Sequence, residues 1–230
     1  MRTPCPSFAR SIRINTSLSG LSGVIKRVAM KVLLLGSESP ETENLRTFLL
    51  ENGEETVLET EKISPEELKR ISPDIIVSYN YHFILKPEIF NFPPKGAINL
   101  HIAYLPFNRG TDPSFWSQVE DTPKGVSIHY IDEGVDTGDI IAEEEVALSG
   151  EDTLATSYQK LHKKIQELFK NVWPEIKSGR ASRTKQAPGG TFHLRKDRAT
   201  FEYLLKSKGW DTLLSELAGL KLDHNKIHGR

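Results

Sequence analysis

Lys31-Val32-Leu33-Leu34-Leu35-Gly36 is the stretch on which the fold turns. A short unbroken apolar run that ends in a turn residue reads as a strand buried on both faces. A helix is expected next. Ser39 can cap it, Pro40 suits its first position, Leu45, Phe48 and Leu49 form its inner stripe, and Gly53 ends it. Val57 and Leu58 make a second short strand, Ser64, Pro65 and Glu67 spell a capping box at the start of a second helix, and Asp74 to Val77 gives a third strand. Strand, helix, strand, helix, strand predicts an α/β fold: an open, mostly parallel sheet with helices on both faces, binding ligands beyond the carboxyl ends of its strands.

Further along, Ala97 to Leu100, Val126 to Ile131 and Ile140 to Val146 read as a fourth, fifth and sixth strand. A long helix follows, with Asp152 or Thr153 near its cap and Leu154, Tyr158, Leu161, Ile165, Leu168 and Val172 spaced along one face before Pro174. The segment from Ala187 to Arg198 is turn-rich, and Thr200 to Leu220 suggests one or two short amphipathic helices. Gly36 stands alone where a dinucleotide-binding turn needs three spaced glycines, so a nicotinamide enzyme is rejected.

The 230 residues carry 37% hydrophobic side chains and a net charge of −1, enough to bury a real core but no electrostatic footprint for nucleic acid. No run of ~18 apolar residues suits a membrane span. The single cysteine, Cys5, excludes an internal disulfide and suits a reducing, cytoplasmic setting. The first 29 residues hold Arg2, Arg10, Arg13, Lys26 and Arg27 and no acid, which leaves 25 Lys and Arg against 31 Asp and Glu from Met30 onward. Such a composition matches a transit peptide or a dispensable leader, and Met30 just before a strand favours the leader. The expected organisation is a leader over 1–29, a catalytic domain over 30–180 and a small extension over 181–230.

Asn99 and His101 lie two apart where the fourth apolar run stops, so their side chains share one face at the carboxyl edge of the sheet. Between the fifth and sixth strands, DEGVDTGDI, Asp132 to Ile140, holds Asp136 between Gly134 and Gly138, which allow a tight turn and close approach of backbone. Taken singly, each also reads as an ordinary turn or solvated hairpin. The loop lacks the terminal glutamate of a calcium loop, and His101 and His129 are not at metal-ligand spacing, so no metal is expected.

Together, NLHIAYLPFNRG from Asn99 to Gly110 and GVSIHYIDEGVDTGDII from Gly125 to Ile141 resemble the folate-dependent formyltransferase domain over Met30 to about Lys177. The resemblance implies 10-formyltetrahydrofolate as co-substrate and Asn99, His101 and Asp136 as the catalytic set. The family commonly has serine where Ala103 stands, a position with no transferred role. It implies that Phe83, Ile84 and Leu85, after the third strand, hold the pterin, with Asp132, Gly134 and Val135 closing the other side.

NRGTDPSFW, Asn108 to Trp116, looks like the sugar-nucleotide N-formyltransferases that modify dTDP-linked amino-deoxysugars for surface polysaccharide. On that reading Asn108 and Arg109 meet the acceptor, Arg109 at a phosphate, and Tyr79, Tyr81 or Trp116 stacks on a base or sugar. The partner is then a small-molecule sugar nucleotide, not nucleic acid or membrane, and a homodimer is compatible with it. Methionyl-tRNA formyltransferases carry a further basic barrel domain, whereas 51 residues follow Gly179. Glycinamide ribonucleotide formyltransferase and a non-catalytic folate- or nucleotide-binding relative remain as alternatives.

Overall fold

The computed structural model describes residues 29–199 and 201–218; almost all of the expected leader lies outside them. In chain order the elements are β1 Lys31–Gly36, α1 Pro40–Glu51, β2 Glu55–Glu59, α2 Pro65–Ile71, β3 Ile75–Tyr79, α3 Pro87–Phe90, β4 Ala97–His101, β5 Arg109–Gly110, α4 Pro113–Val119, β6 Gly125–Tyr130, β7 Ile140–Glu145, α5 Leu154–Ser178, β8 Phe192–His193, α6 Arg195–Ala199 and α7 Leu214–Leu217, with short 3-10 turns at Glu202–Leu205 and Gly209–Asp211. Six strands form one sheet in the order β2-β1-β3-β4-β6-β7. β2, β1, β3 and β4 are parallel; β6 runs antiparallel to β4 and β7 antiparallel to β6. No helix among the described residues is long and apolar enough to cross a membrane.

The apolar run in β1 is continuous because both faces of the sheet are covered. Val32 and Leu34 pack with Leu45 and Leu49 of α1 and Leu161, Ile165 and Phe169 of α5. Leu33 and Leu35 point the other way, to Leu68 and Ile71 of α2 and Ile89 and Phe90 of α3. Each of the four β1 side chains is fully buried, worth ~1.5–3 kcal/mol apiece against exposure. The caps behave as their residues suggest: the Ser39 hydroxyl accepts from Thr42 N, and Ser64 and Glu67 form a reciprocal capping box.

Two elements depart from the sequence reading. α5 does not stop before Pro174 but continues to Ser178, ending on Gly179 at φ 74°. The proline withholds one amide from the helix ladder, and burial of Trp173 and Ile176 offsets that loss. The buried Glu54 carboxylate accepts from Trp173 Nε1 at 3.2 Å and Lys177 Nζ at 2.5 Å, tying this last turn to the sheet. The chain after Gly179 is also more ordered than a turn-rich stretch suggests. Thr184 bridges Ile140, β8 pairs in parallel with β5, and Phe201, Leu214 and Leu217 pack on Phe115 and Trp116 of α4.

Candidate active site

Strand parity sets the site. Ile98 and Leu100 turn toward α1 and α5, as do Val126 and Ile128 of β6, so Asn99, His101, Ser127 and His129 emerge on the opposite face. β4 and β6 pair with Asn99 directly across from His129. The loop after β6 then folds back over this edge and brings Asp136 to both strands. Asn99 Nδ2 donates to Asp136 Oδ1 at 3.1 Å and lies 3.4 Å from His129 Nε2. His101 Nδ1 is 3.7 Å from Asp136 Oδ2, and His129 Nε2 is 3.4 Å from Asp136 Oδ1. The three residues expected to act together do meet.

Two backbone groups complete the arrangement. Gly110 N donates to Asp136 Oδ2 at 2.8 Å, and the Asn108 carbonyl lies 3.1 Å from His101 Nε2. A carbonyl only accepts, so Nε2 of His101 carries a proton and Nδ1 is the basic atom of the neutral ring. The same reasoning makes Nδ1 of His129 the donor to Tyr130 O at 2.7 Å, leaving its Nε2 to face Asn99 and Asp136. Burial works to raise the Asp136 pKa, but the positive charge of His101 in its protonated form, the protonated His129 and the hydrogen bond from the Gly110 amide outweigh it and hold the carboxyl well below the usual carboxylate range. Asp136 is therefore an anion at neutral pH, fixed beside two imidazoles and an amide.

The strained residue of the loop is Asp136 itself, at φ 53°, and not either glycine. Gly138 is required for space: a Cβ there would sit 1.9 Å from Tyr130 O. Asp132 stays at the surface and shapes the turn, accepting from Gly134 N at 3.1 Å and from the Thr137 hydroxyl at 2.6 Å. Val135 is exposed beside it. Phe83, Ile84 and Leu85 line a cavity of about 250 Å³ whose far wall is Lys62 to Pro65, at the start of α2. Asp132, Gly134 and Val135 are not among the residues that line this cavity.

Several expected acceptor contacts need correction. Tyr79 is fully buried, with its hydroxyl 2.5 Å from His162 Nδ1, and a ring without exposed surface cannot stack on a ligand. Trp116 is equally buried and lies flat on His193 at 4.0 Å. Tyr81 donates to Glu61 O at 2.7 Å and accepts from Ile63 N at 3.0 Å, so it braces the loop before α2. The Asn108 side chain is sealed between Thr122 and Thr191, and only its carbonyl serves the site. Like Tyr81, Arg109 is half-exposed. Its guanidinium meets Gln186 Oε1 at 3.1 and 2.7 Å, and among the described residues no carboxylate lies within 4.0 Å of it.

His129, Gln186 and the amide of Gly110 escaped the sequence reading. His129 left one signal, a polar residue two places after Ser127 in an otherwise apolar strand. Its meaning needs the β4–β6 register.

The chain matches the formyl transferase family model over residues 30–173. The structure of PseJ from Anoxybacillus kamchatkensis, in complex with UDP-4,6-dideoxy-4-formamido-L-AltNAc and tetrahydrofolate, is 43% identical, with a TM-score of 0.78, covering 84% of this chain and 100% of that one. Rv3404c of Mycobacterium tuberculosis is 24% identical, with a TM-score of 0.69 and coverage of 84% and 88%. An N-formyltransferase of Helicobacter canadensis, in complex with folinic acid and dTDP-3-aminofucose, is 20% identical, with a TM-score of 0.62 and coverage of 74% and 72%. The latter two likenesses are of fold.

Proposed function

The chain belongs to the formyl transferase family, and we propose that it moves the formyl group of 10-formyltetrahydrofolate onto the amine of a nucleotide-linked amino-deoxysugar. The observation that carries the choice of acceptor is the 43% identity to PseJ, whose structure holds a UDP-linked formamido sugar and tetrahydrofolate. The site supports the same reading. Arg109 is a cation held by a neutral amide, as a residue kept free for an anionic diphosphate would be.

In this mechanism the acceptor amine attacks the formyl carbon, and His101 Nδ1 takes the proton the nitrogen sheds. Asp136, anionic and 3.7 Å from that atom, stabilises the imidazolium, and the Asn108 carbonyl at Nε2 keeps the ring's orientation. The carbonyl oxygen becomes an oxyanion. Asn99 has two amide hydrogens: one is committed to Asp136, and the other, held only by a long 3.4 Å contact to His129 Nε2, is the one that turns to that oxygen. The bond from the formyl carbon to the folate nitrogen then breaks, and the proton held by His101 goes to the leaving nitrogen. The products are a formamide and tetrahydrofolate, and the enzyme returns to its starting protonation state.

The test is release of tetrahydrofolate from 10-formyltetrahydrofolate in the presence of UDP- and dTDP-linked 3-amino and 4-amino deoxysugars, with glycinamide ribonucleotide alongside. Turnover is expected with one of the amino sugars and not with the ribonucleotide. Faster turnover on glycinamide ribonucleotide, or none on any amine, overturns the assignment.

A further inference from the structure

Gln186 lies beyond the span matched by the family model, in a segment without regular structure, yet its amide makes four contacts at the active site. Nε2 donates to the carbonyls of Asp136 at 2.8 Å and Gly138 at 2.9 Å. Oε1 accepts from Arg109 Nε at 3.1 Å and Nη2 at 2.7 Å. The amide has one orientation, because a guanidinium can only donate and a carbonyl can only accept. No other side chain of this length supplies both functions: glutamate lacks the donors and lysine the acceptor. The neighbouring chain explains how it arrives there. Thr184 pairs with Ile140 through bonds of 2.7 and 3.0 Å, at the residue where the loop ends and β7 begins. Gln186 follows two places later, beside the loop it binds.

That loop needs holding. Asp136 is non-glycine at φ 53°, a conformation that persists only where surrounding contacts fix it. The Gly110 amide fixes the carboxylate, and Gln186 fixes the backbone of the same residue. We propose that Gln186 is a positioning residue for formyl transfer, clamping the Asp136 loop in its working posture while presenting Arg109 to the acceptor's phosphates. It touches no reacting atom and acts through Asp136 and Arg109. The inference rests on the reading of Asp136 as the partner of His101 and of Arg109 as an anion contact.

Gln186→Met keeps length and loses all four contacts; Gln186→Glu keeps the acceptor for Arg109, loses both donors and brings an anion to the guanidinium. Hydrogen exchange of the Asp132–Asp139 amides, measured on the free enzyme, is expected to quicken at least tenfold in both variants while exchange in α5 stays at the parent rate. In kinetics with the acceptor found for the parent, kcat is expected to fall about tenfold or more in both, with KM for 10-formyltetrahydrofolate within twofold. Gln186→Glu is expected to raise KM for the sugar nucleotide about tenfold above that of Gln186→Met, since a paired Arg109 no longer attracts phosphate. A role in stability alone moves neither the loop-specific exchange nor this difference between variants. Parental loop exchange in Gln186→Met overturns the clamp whether or not an acceptor is known. Faster loop exchange with parental kcat shows that the posture of Asp136 does not limit transfer. Equal acceptor KM in the two variants removes Arg109 from the proposal. An inactive parent is a failure of the functional reading and leaves the exchange result to decide the clamp.

Discussion

Acidification from pH 7.5 to 5 is expected to weaken this protein through His162. The ring is 2% exposed, with Nδ1 2.5 Å from the Tyr79 hydroxyl and its centroid 4.1 Å from that of the tilted Tyr158 ring. Gln166 donates to the Tyr79 oxygen at 3.3 Å, so the Tyr79 hydroxyl donates onward to His162, whose Nδ1 accepts as a neutral imidazole does. Burial pushes the imidazole pKa down to about 4, against a weak opposite pull from Glu41. In the unfolded chain the group returns to about 6.5. Between these values the unfolded chain binds the extra proton, so stability is complete above pH ~6.5 and is lost as the pH falls toward ~4. At pH 5 the loss is about 1.4 kcal/mol for each of roughly 1.5 pH units, or about 2 kcal/mol. For a domain of this size that lowers Tm by about 4–8 °C. His162→Asn leaves an acceptor for the Tyr79 hydroxyl and does not titrate. Calorimetric melts at pH 7.5, 6.5, 5.5 and 5.0 are expected to show a steeper fall in the parent than in the variant, by those 4–8 °C, whatever their offset at pH 7.5. Parallel curves would refute the assignment of this pH dependence to His162.

His101→Asn and Asp136→Asn are each expected to lower turnover by ~10²–10⁴, with the double variant little worse than either, because residues acting as one unit are non-additive; multiplying losses would mean the pair is not coupled. Arg109→Ala is expected to raise the sugar-nucleotide KM ~10-fold and leave the folate KM unchanged, as loss of uniform binding does. An unchanged acceptor KM would place Arg109 outside the acceptor site. Gly110→Ala puts a Cβ 2.2 Å from His193 O at a backbone with φ 90°, so urea melts are expected to show a loss above ~1 kcal/mol. Turnover is expected to fall with it, since Gly110 N holds Asp136; a stable, fully active variant would contradict both steps.

The family resemblance paired the segment of Asn99 and His101 with the Asp136 loop, and the residues by themselves determined the mostly parallel sheet and the capped helices on both faces. These are local signals. An unbroken apolar run such as Val32 to Leu35 has few alternatives once Ser39-Pro40 and Gly53 bound the next helix. The spacing of Asn99 and His101 likewise fixes their shared face. What only the tertiary structure decided depends on distant chain meeting. His129 enters the site through the antiparallel register of β4 and β6, and Gln186 through the Thr184–Ile140 bridge, 44 residues apart in sequence. The aromatic residues show the same limit from the other side. Tyr79 and Trp116 have rings that bury as readily as they stack on a ligand, and their roles were settled by the neighbours at hand, His162 and His193. Pro174 read locally as a stop, but the contacts of Trp173 and Lys177 with Glu54, more than a hundred residues away, carry α5 through it. Local propensity is a weak force beside burial and hydrogen bonds supplied by another part of the chain, which is why the elements, Asn99 and His101 were legible in sequence and His129, Gln186 and the Gly110 amide were not.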